Sequence, residues 1–213
     1  MSDAMPAEQD LEREKKRFEI VCALTLAVFA ALLAITDLGA SKYGDDEIMG
    51  TNEKANIYAW FQSKSVKQSL VEGQRDLVKT LMEAGSIDPA HQSTLEQLLG
   101  RLEQDIARYK KEKRELLLGS AKVGKENWVQ DIDGELGKIV GAKEWEAKLS
   151  VLGQAGDKFD LALLFLQVSL VIGAVSLVLQ ENRLRWLFYG TMSTLGILGL
   201  VFSVWAFFLA SSA

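Results

Sequence analysis

The chain has 213 residues, of which 48% are hydrophobic, and a formal net charge of −5 at pH 7. This modest acidic charge, with lysines and arginines scattered among acids, does not indicate a nucleic-acid-binding surface. A single cysteine, Cys22, excludes a disulfide framework and a cysteine-based metal site within one chain. Long apolar runs are confined to residues 18–36, 161–179 and 186–210, which is the pattern of a membrane protein.

The first apolar run, residues 18–36, follows a charged tail, residues 1–17. About 19 residues at 1.5 Å each match the ~30 Å thickness of the hydrocarbon layer. A cleaved signal peptide is the competing interpretation, because basic residues precede the run. However, the run is longer than the apolar part of a typical signal peptide, and Leu38-Gly39-Ala40 matches the cleavage pattern poorly. We therefore expect a retained transmembrane helix.

The second and third runs, 161–179 and 186–210, are separated only by Gln180–Arg185, which requires an antiparallel pair of transmembrane helices. Basic residues lie at the end of the tail and in this short loop, whereas the opposite ends of the spans are mainly acidic. The positive-inside rule predicts a cytoplasmic amino terminus, with residues 38–158 and the carboxyl terminus outside. The cores of the runs contain no ionisable residue, which argues against an ion pump or proton-coupled carrier.

Small residues recur at four-residue spacing within the spans, and such rows let helix backbones approach closely in lipid. The rows indicate homo-oligomer assembly in the membrane; the alternative is that they have no special role, because alanine and glycine are common in any span. The candidate packing residues are Ala23, Ala27, Ala31, Ser169, Gly173, Gly199 and Ser203.

Two helices are predicted between the first and second spans. The segment 52–84 follows a glycine-containing loop and has apolar residues at helical spacing. Asp88-Pro89 predicts the start of a second helix over 89–118. Its apolar residues alternate spacings of four and three, as in a coiled coil: Leu95, Leu99, Leu102, Ile106 and Tyr109. We expect an antiparallel, coiled-coil-like hairpin, although the partner of this seam can equally belong to another subunit. Residues 119–158, which contain seven glycines, are predicted to be irregular, with short, interrupted helices that return to the bilayer.

The stretch Ile57–Leu70, IYAWFQSKSVKQSL, places three aromatic residues before two lysines. On a helix, one face of this stretch covers about a third of the circumference. Its members are Ile57, Trp60, Phe61, Lys64 and Lys67. Packing against a neighbouring helix is the main interpretation, and a ligand site is the alternative, since lysines beside aromatic rings can form cation–π contacts. This face and the coiled-coil seam form the candidate interaction surface.

Other motifs do not indicate a reactive site. The basic run Arg108–Arg114 is typical of a solvated helix face with Glu112 and Glu115 interleaved, and attraction to anionic headgroups is the alternative. His91, the only histidine, has no set of metal-ligating neighbours. No nucleophile–base arrangement and no phosphate-binding glycine motif occurs. We therefore predict no enzymatic activity, no cofactor and no metal.

The chain resembles a family of bacterial membrane proteins, domain-of-unknown-function family 4337. The similarity is carried by Trp60-Phe-Gln-Ser-Lys-Ser-Val-Lys67, by Phe159–Val168 and by Arg183–Trp186, and it covers most of the chain, with a weaker match over 119–158. It implies a bacterial origin and the order charged tail, one span, extracytoplasmic helical region and closing pair of spans. It implies no known activity, catalytic residue or cofactor.

The residues and this resemblance together predict an all-α inner-membrane protein with three transmembrane helices and an external helical hairpin. We expect a non-enzymatic protein that self-associates or serves as an accessory or scaffold subunit of a larger membrane complex. The alternative is a homo-oligomeric channel, because hydroxyl and amide groups can line a water path. The candidate lining residues are Gln167, Ser169, Ser176, Thr191, Ser193 and Thr194.

Overall fold

The computed structural model describes residues 4–85 and 88–213, and nearly all of them are helical. The helices within these ranges are α1 (Ala4–Glu83), α2 (Gln92–Leu118), α3 (Ser120–Val123), α4 (Ala142–Val178) and α5 (Asn182–Ala210). Short 3₁₀ turns occupy Pro89–His91 and Lys125–Asn127. Strands β1 (Asp131–Ile132) and β2 (Glu135–Leu136) pair antiparallel, with Asp131 opposite Leu136. Apart from this small sheet, the regular secondary structure of the described residues is helical, as predicted.

Three of the helices, α1, α4 and α5, contain a stretch that is long and apolar enough to cross a membrane, judged by length and composition. The predicted spans 18–36, 161–179 and 186–210 lie within these helices, except that α4 ends one residue before the end of the second span.

Helix α1 continues without interruption through residues 37–51, where the glycines had indicated a loop. Two of the three glycines, Gly39 and Gly50, lie against neighbouring side chains, whereas Gly44 has open space around it. Gly39 faces the rings of Phe159 and Phe207, with which a Cβ atom would clash. At Gly50, two side chains of α4 would lie only 3.1–3.3 Å from a Cβ atom. Close packing thus offsets the cost of about 1 kcal/mol for glycine in a helix relative to alanine.

Helix α4 begins at Ala142, so residues 142–158 belong to one unbroken helix, and the prediction of irregular structure with interrupted helices there is wrong. Glycines in this segment lower its intrinsic helix propensity, which was the basis of the prediction. Ala155 and Phe159 are almost completely buried in a cluster with α5 residues. This tertiary packing stabilises the helix despite its glycines.

Residues 119–141 contain the short elements that connect α2 to α4. Asp133 and Gly134 join β1 to β2, and their φ angles of 53° and 82° are both positive. A two-residue type I′ turn requires a positive φ angle at both of its central residues, and Asp-Gly is a preferred dipeptide for these positions. The strands are only two residues long, too short for the alternating pattern by which strands are predicted.

The chain divides into two compact units, which we call the first unit and the second unit. The first unit comprises the chain up to Glu47 together with Ser150–Ala213, and the second unit is Ile48–Leu149. The core of the first unit contains Phe18, Cys22, Phe29, Leu166 and Met192 and, in a second cluster, Ala155, Phe159, Ala206 and Ala210. The core of the second unit contains Ile57, Leu116, Ile139 and Ala142.

Candidate functional site

The aromatic–basic stretch lies on α1 in the second unit, and its basic end contacts α2. Lys64 Nζ lies 2.7 Å from Glu112 Oε2, and the Glu112 side chain is only 6% exposed. Among the described residues no donor is aligned for a hydrogen bond to this oxygen, so the contact is a buried ion pair. Arg108 Nε approaches the other carboxylate oxygen at 3.4 Å. In addition, Lys113 Nζ lies 5.3 Å from the centre of the Phe61 ring, within cation–π range.

The aromatic end of the same stretch belongs to the core of the second unit. Ile57 is buried there, and Tyr58, Trp60 and Phe61 pack against this cluster. The Tyr58 hydroxyl donates a hydrogen bond of 2.8 Å to Glu146, and this bond raises the pKa of the phenol. Lys67, by contrast, is exposed. Most of the predicted interaction face therefore makes contacts within the chain.

The predicted seam of α2 lies on the less exposed side of that helix. Leu102 and Ile106 are buried, and Leu95, Leu99 and Tyr109 are partly buried. Leu102 lines a narrow groove together with Leu77 and Val78 of α1. The seam therefore packs within the second unit and is not a free surface.

The basic run on α2 is only in part the solvated face that its charges indicated. Lys110, Lys111 and Arg114 are exposed, but Glu112 and Glu115 are 5% and 0% exposed. Glu112 follows the seam residue Tyr109 by three positions and therefore shares its inward direction. Glu115 lies further round the helix and is covered by Ser120, Val129 and Gln130 of the loop that follows α2. The interpretation of these two acids as solvated is wrong.

Glu115 holds together the loop between α2 and α4. Its Oε1 accepts a hydrogen bond of 2.7 Å from the Ser120 hydroxyl, and its Oε2 accepts 2.9 Å bonds from the N–H groups of Val129 and Gln130. The Ser120 oxygen in turn accepts a bond of 3.0 Å from the Ile139 N–H. Three donors thus compensate the carboxylate for the loss of water.

No sequence pattern singled out Glu115, because an acid within a charged helical run is usually solvated. The nearest signal is the glycine that follows it. Gly119 has a φ of 89°, in the region that favours glycine, at the point where the chain leaves α2. A Cβ atom on Gly141 would overlap the backbone at Gly119. These close approaches bring the loop over the Glu115 carboxylate.

The small-residue rows of the spans fall into two groups. The first group, Ser169, Gly173, Gly199 and Ser203, is buried inside the first unit. A Cβ atom on Gly199, for example, would come within 2.8 Å of Leu166. The second group, Ala23, Ala27 and Ala31, is exposed on α1. Only the alanine row is therefore accessible to another helix.

Four of the five hydroxyl groups considered as pore lining, those of Ser169, Ser176, Thr191 and Thr194, make hydrogen bonds inside the chain. Ser169 donates a bond of 2.7 Å to a carbonyl of its own helix, and Thr191 and Thr194 donate bonds of 3.0 and 2.9 Å in the same way. Ser176 donates a bond of 3.4 Å to the Arg185 carbonyl. These bonds satisfy the hydroxyls without water and do not favour a pore.

Asp88 and His91 lie at the start of α2. Asp88 Oδ1 accepts a hydrogen bond of 2.9 Å from the Ala90 N–H, and the Asp88 carbonyl accepts one of 2.9 Å from the His91 N–H. Both contacts are those of a helix start. Within residues 4–85 and 88–213, no group of three or more histidine, cysteine, aspartate or glutamate side chains could hold a metal ion.

A model of one protein family matches nearly the full length of the chain. No curated protein and no solved structure matches it significantly. The matching family is described as Domain of unknown function (DUF4337), and the match extends over residues 18–209. It contains the Trp60–Lys67 stretch and the closing pair of apolar helices, the features on which the resemblance was based. The chain therefore belongs to the DUF4337 family.

Proposed function

We propose that this protein is a non-enzymatic protein of the bacterial inner membrane that self-associates through its external region, alone or as an accessory subunit of a larger complex. Three long apolar helices support membrane insertion. The basic residues before the first span and between the last two support a cytoplasmic amino terminus. With this topology, the second unit is extracytoplasmic. An exposed apolar row on α1 carries the proposal of self-association.

Contacts in the second unit support an antiparallel hairpin of α1 and α2. Lys64 pairs with Glu112, whereas Lys79, further along α1, lies 3.1 Å from Glu103, which comes earlier on α2. Advancing along one helix therefore moves backward along the other. This arrangement uses the α2 seam internally and leaves another face of α1 exposed for a partner; that face borders the α1–α2 groove at Leu77.

The exposed row consists of Val66, Leu70, Leu77 and Leu81, whose exposed fractions are 69%, 63%, 61% and 43%. With Gly73 included, the first four positions alternate spacings of four and three, the repeat of a coiled-coil seam. Apolar side chains of this size, repeated along one helix face in water, favour a protein partner. The burial of each large apolar side chain contributes about 1.5–3 kcal/mol.

A second copy of the chain fits this row. Copies in one membrane share their orientation, so two such rows would pack in parallel and in register. The flanking pairs in that register are Gln62 with Lys67, Ser69 with Gln74 and Asp76 with Leu81. None of these pairs brings like charges together, which removes one common obstacle to pairing. The exposed alanine row on the first span would allow the same two helices to approach closely in lipid.

Cysteine cross-linking tests the row directly. In a Cys22→Ser background, Leu70→Cys is expected to give a disulfide-linked dimer in native membranes under mild oxidation, because equivalent seam positions meet in a parallel pair. The matched control is Gln104→Cys, which is also exposed but lies on α2. Non-reducing gel electrophoresis of both variants provides the measurement. Cross-linking at residue 104 but not at residue 70 would contradict the proposed face.

Topology is tested separately by labelling with a membrane-impermeant maleimide. In the Cys22→Ser background, Ser93→Cys is expected to react on intact cells, because residue 93 is exposed and extracytoplasmic in the proposed topology. Ser2→Cys is expected to react only after the membrane is opened. The reverse pattern would overturn the orientation.

A further inference from the structure

A cavity of about 340 Å³ lies in the first unit where the charged tail meets the first span. Its lining includes the basic side chains of Lys15, Arg17 and Arg185 and the aromatic rings of Phe18 and Trp186. Two positively charged side chains of α1 and one of α5 thus share a cavity with two apolar rings. This combination suits a ligand that has both an anionic and an apolar part.

Arg185 is the buried member of this set. Its exposed fraction is only 2%, although it carries a full charge. One guanidinium nitrogen lies 3.3 Å from Glu19 Oε1, and the guanidinium carbon lies 4.5 Å from the centre of the Phe18 ring. Its Nε has no hydrogen-bond partner within the described part of the chain. An unsatisfied buried donor on a charged group costs roughly 1–3 kcal/mol or more, and an anionic oxygen in the cavity would remove that cost.

The charge balance of the cavity favours an anion. Lys15 and Arg17 are exposed and add two positive charges, and Glu14 is the acid that shares the lining with them. Helix α5 starts at Asn182, which also lines the cavity, and the preceding residue makes no side-chain cap. The N–H groups of the first turn of α5 therefore remain available, and the helix dipole attracts negative charge to the same place.

Aromatic rings mark this level of the first unit as a membrane interface. Phe18 and Trp186 pack edge to face with their ring centres 5.1 Å apart, and Tyr189 lies 5.6 Å from Trp186. Trp186 is 58% exposed beside the cavity. Tryptophan and tyrosine are enriched where headgroups meet acyl chains. An acyl chain can therefore lie against Trp186 while its phosphate enters the cavity.

We propose that this cavity binds the phosphate of an anionic phospholipid, with Arg185, Lys15 and Arg17 as the binding side chains. The inference rests on the proposed topology, which puts the cavity in the cytoplasmic leaflet, where basic pockets between spans meet anionic headgroups. A free phosphate ion would use the same positive groups but would gain nothing from the exposed aromatic ring. The adjacent ring therefore favours a lipid.

Native mass spectrometry of the full-length protein in detergent tests the proposal. The probes are phosphatidylglycerol, phosphatidylcholine with the same acyl chains, and inorganic phosphate. Phosphatidylglycerol is expected to bind more tightly than phosphatidylcholine. Lys15→Gln/Arg17→Gln is expected to weaken phosphatidylglycerol binding about 30-fold, since each cation near a membrane surface contributes about a factor of five. Arg185→Gln is expected to weaken it as well.

The matched control is Arg13→Gln/Lys16→Gln, which removes the same charge from the same turn of α1 at residues outside this lining. It is expected to change the affinity less than about 3-fold. Equal losses in the two double variants, or equal binding of the two lipids, would overturn the proposal. Saturable phosphate binding that depends on Lys15 and Arg17, without phosphatidylglycerol binding, would replace the lipid with a soluble anion. Lipid binding in detergent depends neither on the orientation of the protein in the membrane nor on its self-association. A negative result would therefore contradict lipid binding without contradicting the proposed function.

Discussion

Replacement of Glu115 by alanine is expected to release the loop between α2 and α4. The variant would leave the Ser120 hydroxyl and the Gln130 N–H group buried, and the Val129 N–H group partly buried, without their acceptor. Each unsatisfied buried donor costs about 1–3 kcal/mol, so a total of about 3 kcal/mol or more is expected. Hydrogen exchange of the 119–141 peptides, measured by mass spectrometry on the full chain, should then be about 100-fold faster.

Glu103→Ala is the matched control for this variant. Glu103 lies on the same helix, and its side chain is 56% exposed in a surface pair with Lys79. Such a pair contributes about 0–1 kcal/mol, so exchange in the loop should not change measurably. Glu115→Gln, which retains one acceptor oxygen, is expected to give a smaller effect than alanine. Equal exchange in Glu103→Ala and Glu115→Ala would show that the buried carboxylate does not hold the loop.

Replacement of Lys64 by methionine is expected to destabilise the second unit by about 3 kcal/mol. The substitution leaves the buried Glu112 carboxylate with only one nearby cation, the more distant Arg108. Because this cation remains, the expected loss of stability lies at the lower end of the range of about 3–5 kcal/mol for a broken buried ion pair. The midpoint of thermal unfolding, followed by circular dichroism in detergent, should fall by about 6–12 °C. Lys64 lies within the stretch that carries the family resemblance, so this variant tests whether the stretch has a structural role.

Two further variants separate a structural effect from a general loss of charge. Lys79→Met removes an exposed lysine from the same helix, where the pair with Glu103 contributes at most about 1 kcal/mol. Lys64→Met/Glu112→Leu removes both buried charges, and such replacements are often neutral or stabilising. We therefore expect the double variant to recover most of the lost stability. A double variant that is less stable than Lys64→Met would contradict the assignment of Lys64 as the counterion of Glu112.

Periodicity in the sequence predicted which residues of α2 face inward, but it did not predict which segment they pack against. The seam residues Leu102 and Ile106 are buried, as a spacing of four and three indicates. The same spacing left open whether their partner was α1 or another subunit, because a heptad pattern describes only one side of a contact. The tertiary structure was needed to show that the apolar side chains of Val66, Leu70, Leu77 and Leu81 remain exposed when α1 packs against α2.

Residues whose role depends on a distant segment could not be assigned from the sequence. Arg185 is an ordinary loop arginine by its neighbours, and its burial results from contacts with Glu19 and Phe18, more than 160 positions earlier. Gly39 indicated a loop for the same reason, because the aromatic rings that pack against it lie on α4 and α5. A local pattern reports propensity, whereas tertiary packing decides between a turn and a close approach of helices.

The sequence by itself determined the all-helical class, the three apolar segments and the family, because hydrophobic periodicity, segment length and short motifs are local properties of the chain. The tertiary structure decided that α1 runs unbroken past its glycines, that Glu112 and Glu115 point inward, and that Lys64 faces α2. These features depend on which side chains from remote segments fill the same space. Burial and charge pairing are therefore visible only when the helices are in contact.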